Sequence, residues 1–176
     1  MKKAKSHKER RYFVSIDPSI NDIGLAIWEQ SSFRQLAEPL AIHEIQTQKY
    51  DYWTDKLKDL NVTLNSVLAG HGVGMRGAGC LRAYVEQPGF FASAKGRASA
   101  DRGDLVKLSA SFGAIAGFCW YGNIQFIPVT VQEWKGNLTK DTVKRRILKL
   151  LPNIDPAYSS HCFDAVGIGL YAKGLF

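Results

Sequence analysis

Four side chains carry the chemistry legible in this sequence. Asp17 ends the run YFVSID and stands before Pro18. Glu86 ends LRAYVE, two residues before Pro88. His161 and Asp164 lie three apart near the start of SSHCFDAVGIGLYAKG, residues 159–174. Proline lacks the N–H that a central strand needs, so both upstream acids belong at strand ends. Sites in α/β sheets gather where strands end. Residues i and i+3 share a helix face, so His161 and Asp164 project together. Three carboxylates and an imidazole at one point would attract a hard divalent cation. Mg²⁺ takes oxygen ligands and keeps waters and phosphate oxygens in its shell. Two such ions, about 4 Å apart, can activate a water and stabilise the leaving oxygen of a phosphodiester. A histidine ligand also admits Mn²⁺. Zinc is disfavoured, because no second Cys or His has ligand spacing.

Each residue taken alone has a plainer reading. Asp before Pro is ordinary turn chemistry. Glu86 could be a solvated edge acid, although a carboxylate closing an apolar run is costly to bury without a cation. His161 follows Ser159 and Ser160, a helix-cap pair, and the helix dipole favours an acid such as Asp164 in the first turn.

The elements that must position these groups follow from periodicity. YFVSID (12–17), DIGLAIWEQ (22–30) and LAIHEIQT (40–47) read as three strands of an antiparallel meander. Residues 50–69 space Trp53, Leu57, Leu60, Leu64, Val67 and Leu68 as a helix. The segment 70–79 holds five glycines in ten residues and reads as a loop. It lacks the Gly-Lys-Ser/Thr ending of a nucleotide-binding P-loop. A fourth strand ends at Glu86. A long helix spans 103–122, with Leu105, Leu108, Phe112, Ile115 and Cys119 on one face and Gly122 as its stop. A fifth strand covers 124–129, and Thr130 is a good N-cap. A basic helix covers 139–151 before Pro152, and the final helix covers about 159–172. Ala165, Gly167 and Gly169 would let that last helix lie close to a sheet. The order βββ-α-β-α-β-α-α makes one mixed α/β domain over 12–176, behind a basic arm over 1–11.

The chain has 176 residues, 45% of them hydrophobic, enough to bury a core without disulfides. Three widely spaced cysteines, Cys80, Cys119 and Cys162, fit a reduced compartment better than a disulfide framework. No window reaches the roughly 18 apolar residues of a membrane span. The apolar run after the basic start meets Asp17 too soon for a secretory signal core of about 7–15 residues. The expectation is a cytoplasmic protein with no membrane partner. Lys and Arg total 23 against 16 Asp and Glu, a net charge of +7. Such a surplus suits a polyanionic partner, although solubility alone also uses one. Six of the basic residues crowd the arm: Lys2, Lys3, Lys5, Lys8, Arg10 and Arg11.

Four pieces, in order, carry a family resemblance. FVSIDPSINDIGLAIWE resembles the first hairpin of RuvC-type Holliday-junction resolvases, in the RNase H-like superfamily. YVEQPGFF resembles the fourth strand with its second acid. FIPVTVQEWKGNLTKDTVKRRI is similar to the region before the last helix, and HCFDAVGIGLYA to the closing helix with its paired ligands. The resemblance spans about residues 12–172. It implies an RNase H-like mixed five-stranded sheet, its first three strands antiparallel, flanked by helices. It implies Asp17, Glu86, His161 and Asp164 as a tetrad binding two Mg²⁺ ions, with Mn²⁺ able to substitute. It implies a homodimer that cuts opposing strands of a four-way DNA junction, and, in a bacterial or phage-encoded protein, a place at the nucleoid. The helix after Glu86 helps form the dimer in the family, but its 105–119 stripe could equally pack on the sheet. Two departures stand out. Ser19 replaces the usual Gly after Asp-Pro, and His161 stands where some members carry Asp.

The nucleic-acid surface is read from two segments. QPGFFASAKGRASADRG (87–103) joins Phe90 and Phe91 to Lys95, Arg97 and Arg102. Exposed aromatics can stack on unstacked bases while Lys and Arg meet phosphates. The resemblance implies that this segment probes the junction centre; the plainer reading folds the phenylalanines onto the core. KDTVKRRILK (140–149) carries Lys140, Lys144 and Arg145, and the resemblance favours Lys140 as a catalytic residue near the scissile phosphate. The expected activity is a metal-dependent, structure-selective endodeoxyribonuclease. The alternatives are a broader nuclease on flaps, branched DNA or RNA–DNA hybrids, and a non-catalytic nucleic-acid-binding module.

Overall fold

The alternation of the first three apolar runs becomes a sheet. The computed structural model describes residues 11–19, 21–30, 36, 38–47, 52–73, 79–89 and 103–176. β1 (Tyr12–Asp17), β2 (Asp22–Glu29) and β3 (Ala41–Gln46) pair antiparallel in sequence order. β4 (Cys80–Gln87) joins the free edge of β1 in parallel, and β5 (Gln125–Thr130) joins β4 in parallel. The sheet order is β3-β2-β1-β4-β5. This is the five-stranded mixed sheet expected of an RNase H-like fold. Pro128 sits in β5, an edge strand, where its missing donor does least harm.

Successive side chains leave a strand on opposite faces, and that rule sorts the core into two layers. Tyr12, Val14 and Ile16 of β1, Ile23, Leu25 and Ile27 of β2, and Ala83 and Val85 of β4 face one side. There they meet Leu60, Leu64 and Leu68 of α1 (Trp53–Gly70) and Ile115, Phe118 and Cys119 of α2 (Asp104–Tyr121). Phe13, Ala26 and Trp28 face the other side and meet α5 (Ser160–Ala172) with α4 (Lys140–Leu150) behind it. A short α3 (Val131–Trp134) links β5 to α4. Because Asp17 and Glu86 share the parity of Phe13 and Tyr84, both carboxylates fall on the α5 side.

The apolar stripe of α2 resolves toward the core. Ile115 and Cys119 are fully buried, and Phe112 packs edge-on against Phe126 of β5, with ring centroids 5.1 Å apart. The opposite face, with Val106, Gly113, Gly117 and Trp120, is the open one. A helix apolar on both sides gives periodicity no means of choosing between them.

Candidate active site

α5 reaches the strand ends because three glycines clear its way. A Cβ on Gly24 would overlap the backbone carbonyl of His161, one on Gly167 the ring of Trp134, and one on Gly169 the indole of Trp28. Gly24 is also the residue paired with Asp17 across β1 and β2. Trp28 in turn stacks on Phe13, donating from Nε1 to Ser15 Oγ at 2.8 Å. The helix begins at Ser159, whose hydroxyl accepts from the Cys162 N–H at 3.3 Å. Residues 162–170 are buried without a break. The first turn of α5 therefore lands on the ends of β1 and β4.

The four predicted side chains meet there through a shared set of partners. His161 Nδ1 stands 2.7 Å from Asp17 Oδ2. Trp134 Nε1 donates to Glu86 Oε2 at 2.7 Å. Lys135 Nζ donates to Asp164 Oδ2 at 3.1 Å and lies 4.0 Å from Glu86 Oε2. Asp17 and Asp164 are 5% and 4% exposed, so neither is a solvated turn acid. Burial raises the Asp17 carboxyl above its ordinary range; the His161 contact opposes this, and the charge of Asp164 adds to it. Burial, then the charge of Asp17, pushes Glu86 up to about 7, against the pull of Lys135 and Trp134. The bond to Asp17 raises His161, opposed by its partial burial. Burial is the main cause for the two acids, with repulsion between carboxylates added to it, while the anionic partner Asp17 is what raises the imidazole.

No protein-family model matches the chain, and no curated protein does. Solved structures do match. RuvC of Thermus thermophilus in complex with a Holliday junction substrate superposes with a TM-score of 0.68 at 17% identity, over 93% of this chain and 96% of RuvC. The chain has a RuvC-like fold. The Fowlpox virus resolvase in its complex with Holliday junction DNA matches with a TM-score of 0.55 at 15% identity, over 93% of this chain and 99% of the viral one. The carboxylate cluster thus sits on a RuvC-like sheet, at the carboxyl ends of two parallel strands.

The remaining predicted residues divide. Lys140 opens α4 and donates to Ser160 Oγ at 3.3 Å, close enough to His161 for its charge to be felt there. A cleft of about 240 Å³ beside Asp164 is lined by Lys140, Lys144, Tyr158, Ser160 and Phe163. Lys144 ties the α4–α5 loop down, donating to the Pro156 carbonyl at 2.7 Å. Arg145 folds back along α4 toward the Asp141 carbonyl and the Thr142 hydroxyl, each 3.4 Å away. It does not join the cleft. Phe90, Phe91, Lys95, Arg97 and Arg102, with residues 1–10 of the basic arm, lie outside the described residues.

Lys135 and Trp134 are the neighbours of the acids that sequence reasoning missed. Of the two, Lys135 carries the charge. It brings an ammonium, itself 13% exposed, within reach of two of the three acids. Among the described residues no three His, Cys, Asp or Glu side chains form a ready metal cage. One reason is visible: Asp17 is engaged with His161, and Lys135 holds Asp164. The donor set still suits a hard cation. Its oxygens are carboxylates, and one cationic group, the Lys135 ammonium, already settles between Asp164 and Glu86.

Proposed function

We propose that this RuvC-like chain is a metal-dependent endonuclease of branched DNA, and that its substrate is the four-way junction. The observation that carries the proposal is the meeting of Asp17, Glu86 and Asp164, with His161, at the strand ends of a fold shared with two resolvases solved on junction DNA. A protein that only bound DNA would gain nothing from two buried acids and a half-buried third, which repel phosphate. Asp17, Glu86 and Asp164 would hold two Mg²⁺ ions, with Mn²⁺ able to substitute. Bound there, such ions supply an activated water and charge neutralisation at the leaving oxygen.

The protein's own groups have separable tasks. Asp17 fixes the His161 ring through Nδ1, which leaves Nε2 on the far side to take a ligand or orient a water. Trp134 and Lys135 fix Glu86 and Asp164 from behind and set the charge they present. Lys140 and Lys144, lining the adjoining cleft, would neutralise backbone phosphates beside the cut and position the strand. Junction cleavage by paired nicks needs two sites, so we propose a homodimer through the open face of α2. Gly113 and Gly117 have free space where a Cβ would stand, and Trp120 is 87% exposed. Small residues on one stripe with a large aromatic beside them admit a second helix at short range.

The test is side-by-side cleavage of a synthetic four-way junction, a flap and an RNA–DNA hybrid, in Mg²⁺ and in EDTA. The proposal expects symmetric paired nicks in the junction that depend on the ion. Cleavage confined to the hybrid, or equal cleavage in EDTA, would overturn it.

A further inference from the structure

A second cluster of ligating groups lies on the opposite side of the sheet, away from the acids. His43 lies in β3, paired with Leu25, and shares its parity with the buried Ile45, so its ring leaves toward α1. His71 follows the end of α1, its N–H bonded to the Leu68 carbonyl at 3.1 Å. The two residues are 28 positions apart, yet their Nε2 atoms are 2.9 Å apart. The ring centroids stand 5.1 Å apart, with planes inclined at 61°.

Two imidazoles meeting nitrogen to nitrogen must share one proton. One ring donates and the other accepts, so the accepting ring is a neutral imidazole. Partial burial, then the neighbouring ring, lowers the basicity of His43 and keeps it in that form. Neutral imidazole is also the form that binds metal. The separation fits this use. Two nitrogens, each about 2.0 Å from one ion and about 90° apart around it, stand about 2.9 Å from each other. Both backbones are anchored, one in the strand ladder and one at a helix end, so the ligand spacing is preset. His71 is exposed, so a hydrated ion can reach the pair from solvent.

We propose that His43 and His71 form a two-histidine site for a divalent transition metal of tetragonal preference, Ni²⁺ or Cu²⁺. Among the described residues no third His, Cys, Asp or Glu completes the set, so water fills the remaining positions. The bound ion staples the edge strand β3 to the end of α1 and stabilises the folded state by mass action. The site is independent of the carboxylate cluster and stands or falls separately from the nuclease reading.

The test uses the full chain with Ni²⁺, in excess Mg²⁺, followed by calorimetry and thermal melting. The second imidazole binds intramolecularly, so losing it should weaken Ni²⁺ binding about a hundredfold. His71→Ala, a change at an exposed position, should show that loss and abolish the Ni²⁺-dependent rise in Tm. His43→Gln should do the same, while His7→Ala and His161→Ala should keep the binding event. With Cu²⁺, the electron paramagnetic resonance spectrum should show two coupled nitrogens in the wild type and one in His71→Ala. Unchanged Ni²⁺ affinity in His71→Ala, or no saturable binding to the wild type, would overturn the proposal.

Discussion

Glu86 makes the metal-free protein less stable as pH rises. Burial and the charge of Asp17 push its carboxyl up to about 7, from an ordinary value of 4.5. Between those values the folded chain keeps a proton that the unfolded chain has released. Folding then takes up a proton, and stability falls as pH rises through the window. Below pH 4.5 both states are protonated and nothing is lost; above about 7 the whole penalty is present. The gap, at about 1.4 kcal/mol for each pH unit, comes to about 3 kcal/mol. The raised His161 acts in the same direction: its stabilisation is complete below the unfolded value and disappears as pH passes its folded value. Glu86→Gln isolates the first effect, since an amide oxygen still accepts from Trp134 Nε1. Urea unfolding in EDTA should give equal midpoints for the two proteins near pH 4. At pH 8 the variant should be the more stable by up to about 3 kcal/mol. Added Mn²⁺ should reverse that order by stabilising the wild type more. A gap that does not change with pH, or one that opens in favour of the wild type without metal, would refute the reasoning.

Lys135→Met removes the ammonium from Asp164 and Glu86. In EDTA at pH 8 it should cost about 3 kcal/mol by leaving buried charge unpaired, with tighter Mn²⁺ binding by calorimetry. Gly24→Ala drives a methyl group into the His161 carbonyl and lifts the first turn of α5. Urea unfolding should show a loss of about 2 kcal/mol, and junction cleavage should fall by a larger factor than stability explains. Trp120→Glu on the open face of α2 should shift sedimentation from dimer to monomer while changing the unfolding free energy of the subunit by no more than about 0.5 kcal/mol.

Much of the site was legible because its signals are local. Each upstream acid closes an apolar run before a proline, and strand parity then puts both on one face. The small residues of α5 announce close approach, and Gly167 and Gly169 do meet Trp134 and Trp28. What stayed hidden depends on partners distant in sequence. Lys135 follows a four-residue helix whose capping box, Thr130 with Glu133, is readable. Its position over the acids is set only when Trp134 docks on Gly167, 33 residues later. The buried face of α2 was ambiguous because both of its faces are apolar. His43 and His71 meet through a strand and a helix end that no periodicity connects.

The central claim is that the carboxylate cluster cuts junction DNA. The most direct measurement compares wild type with Asp17→Asn on one labelled four-way junction in Mg²⁺, reading binding by gel shift and cleavage by product mapping. The account predicts that the variant binds the junction about as well as wild type and produces no nicks. Nicks at wild-type rate in the variant would contradict it.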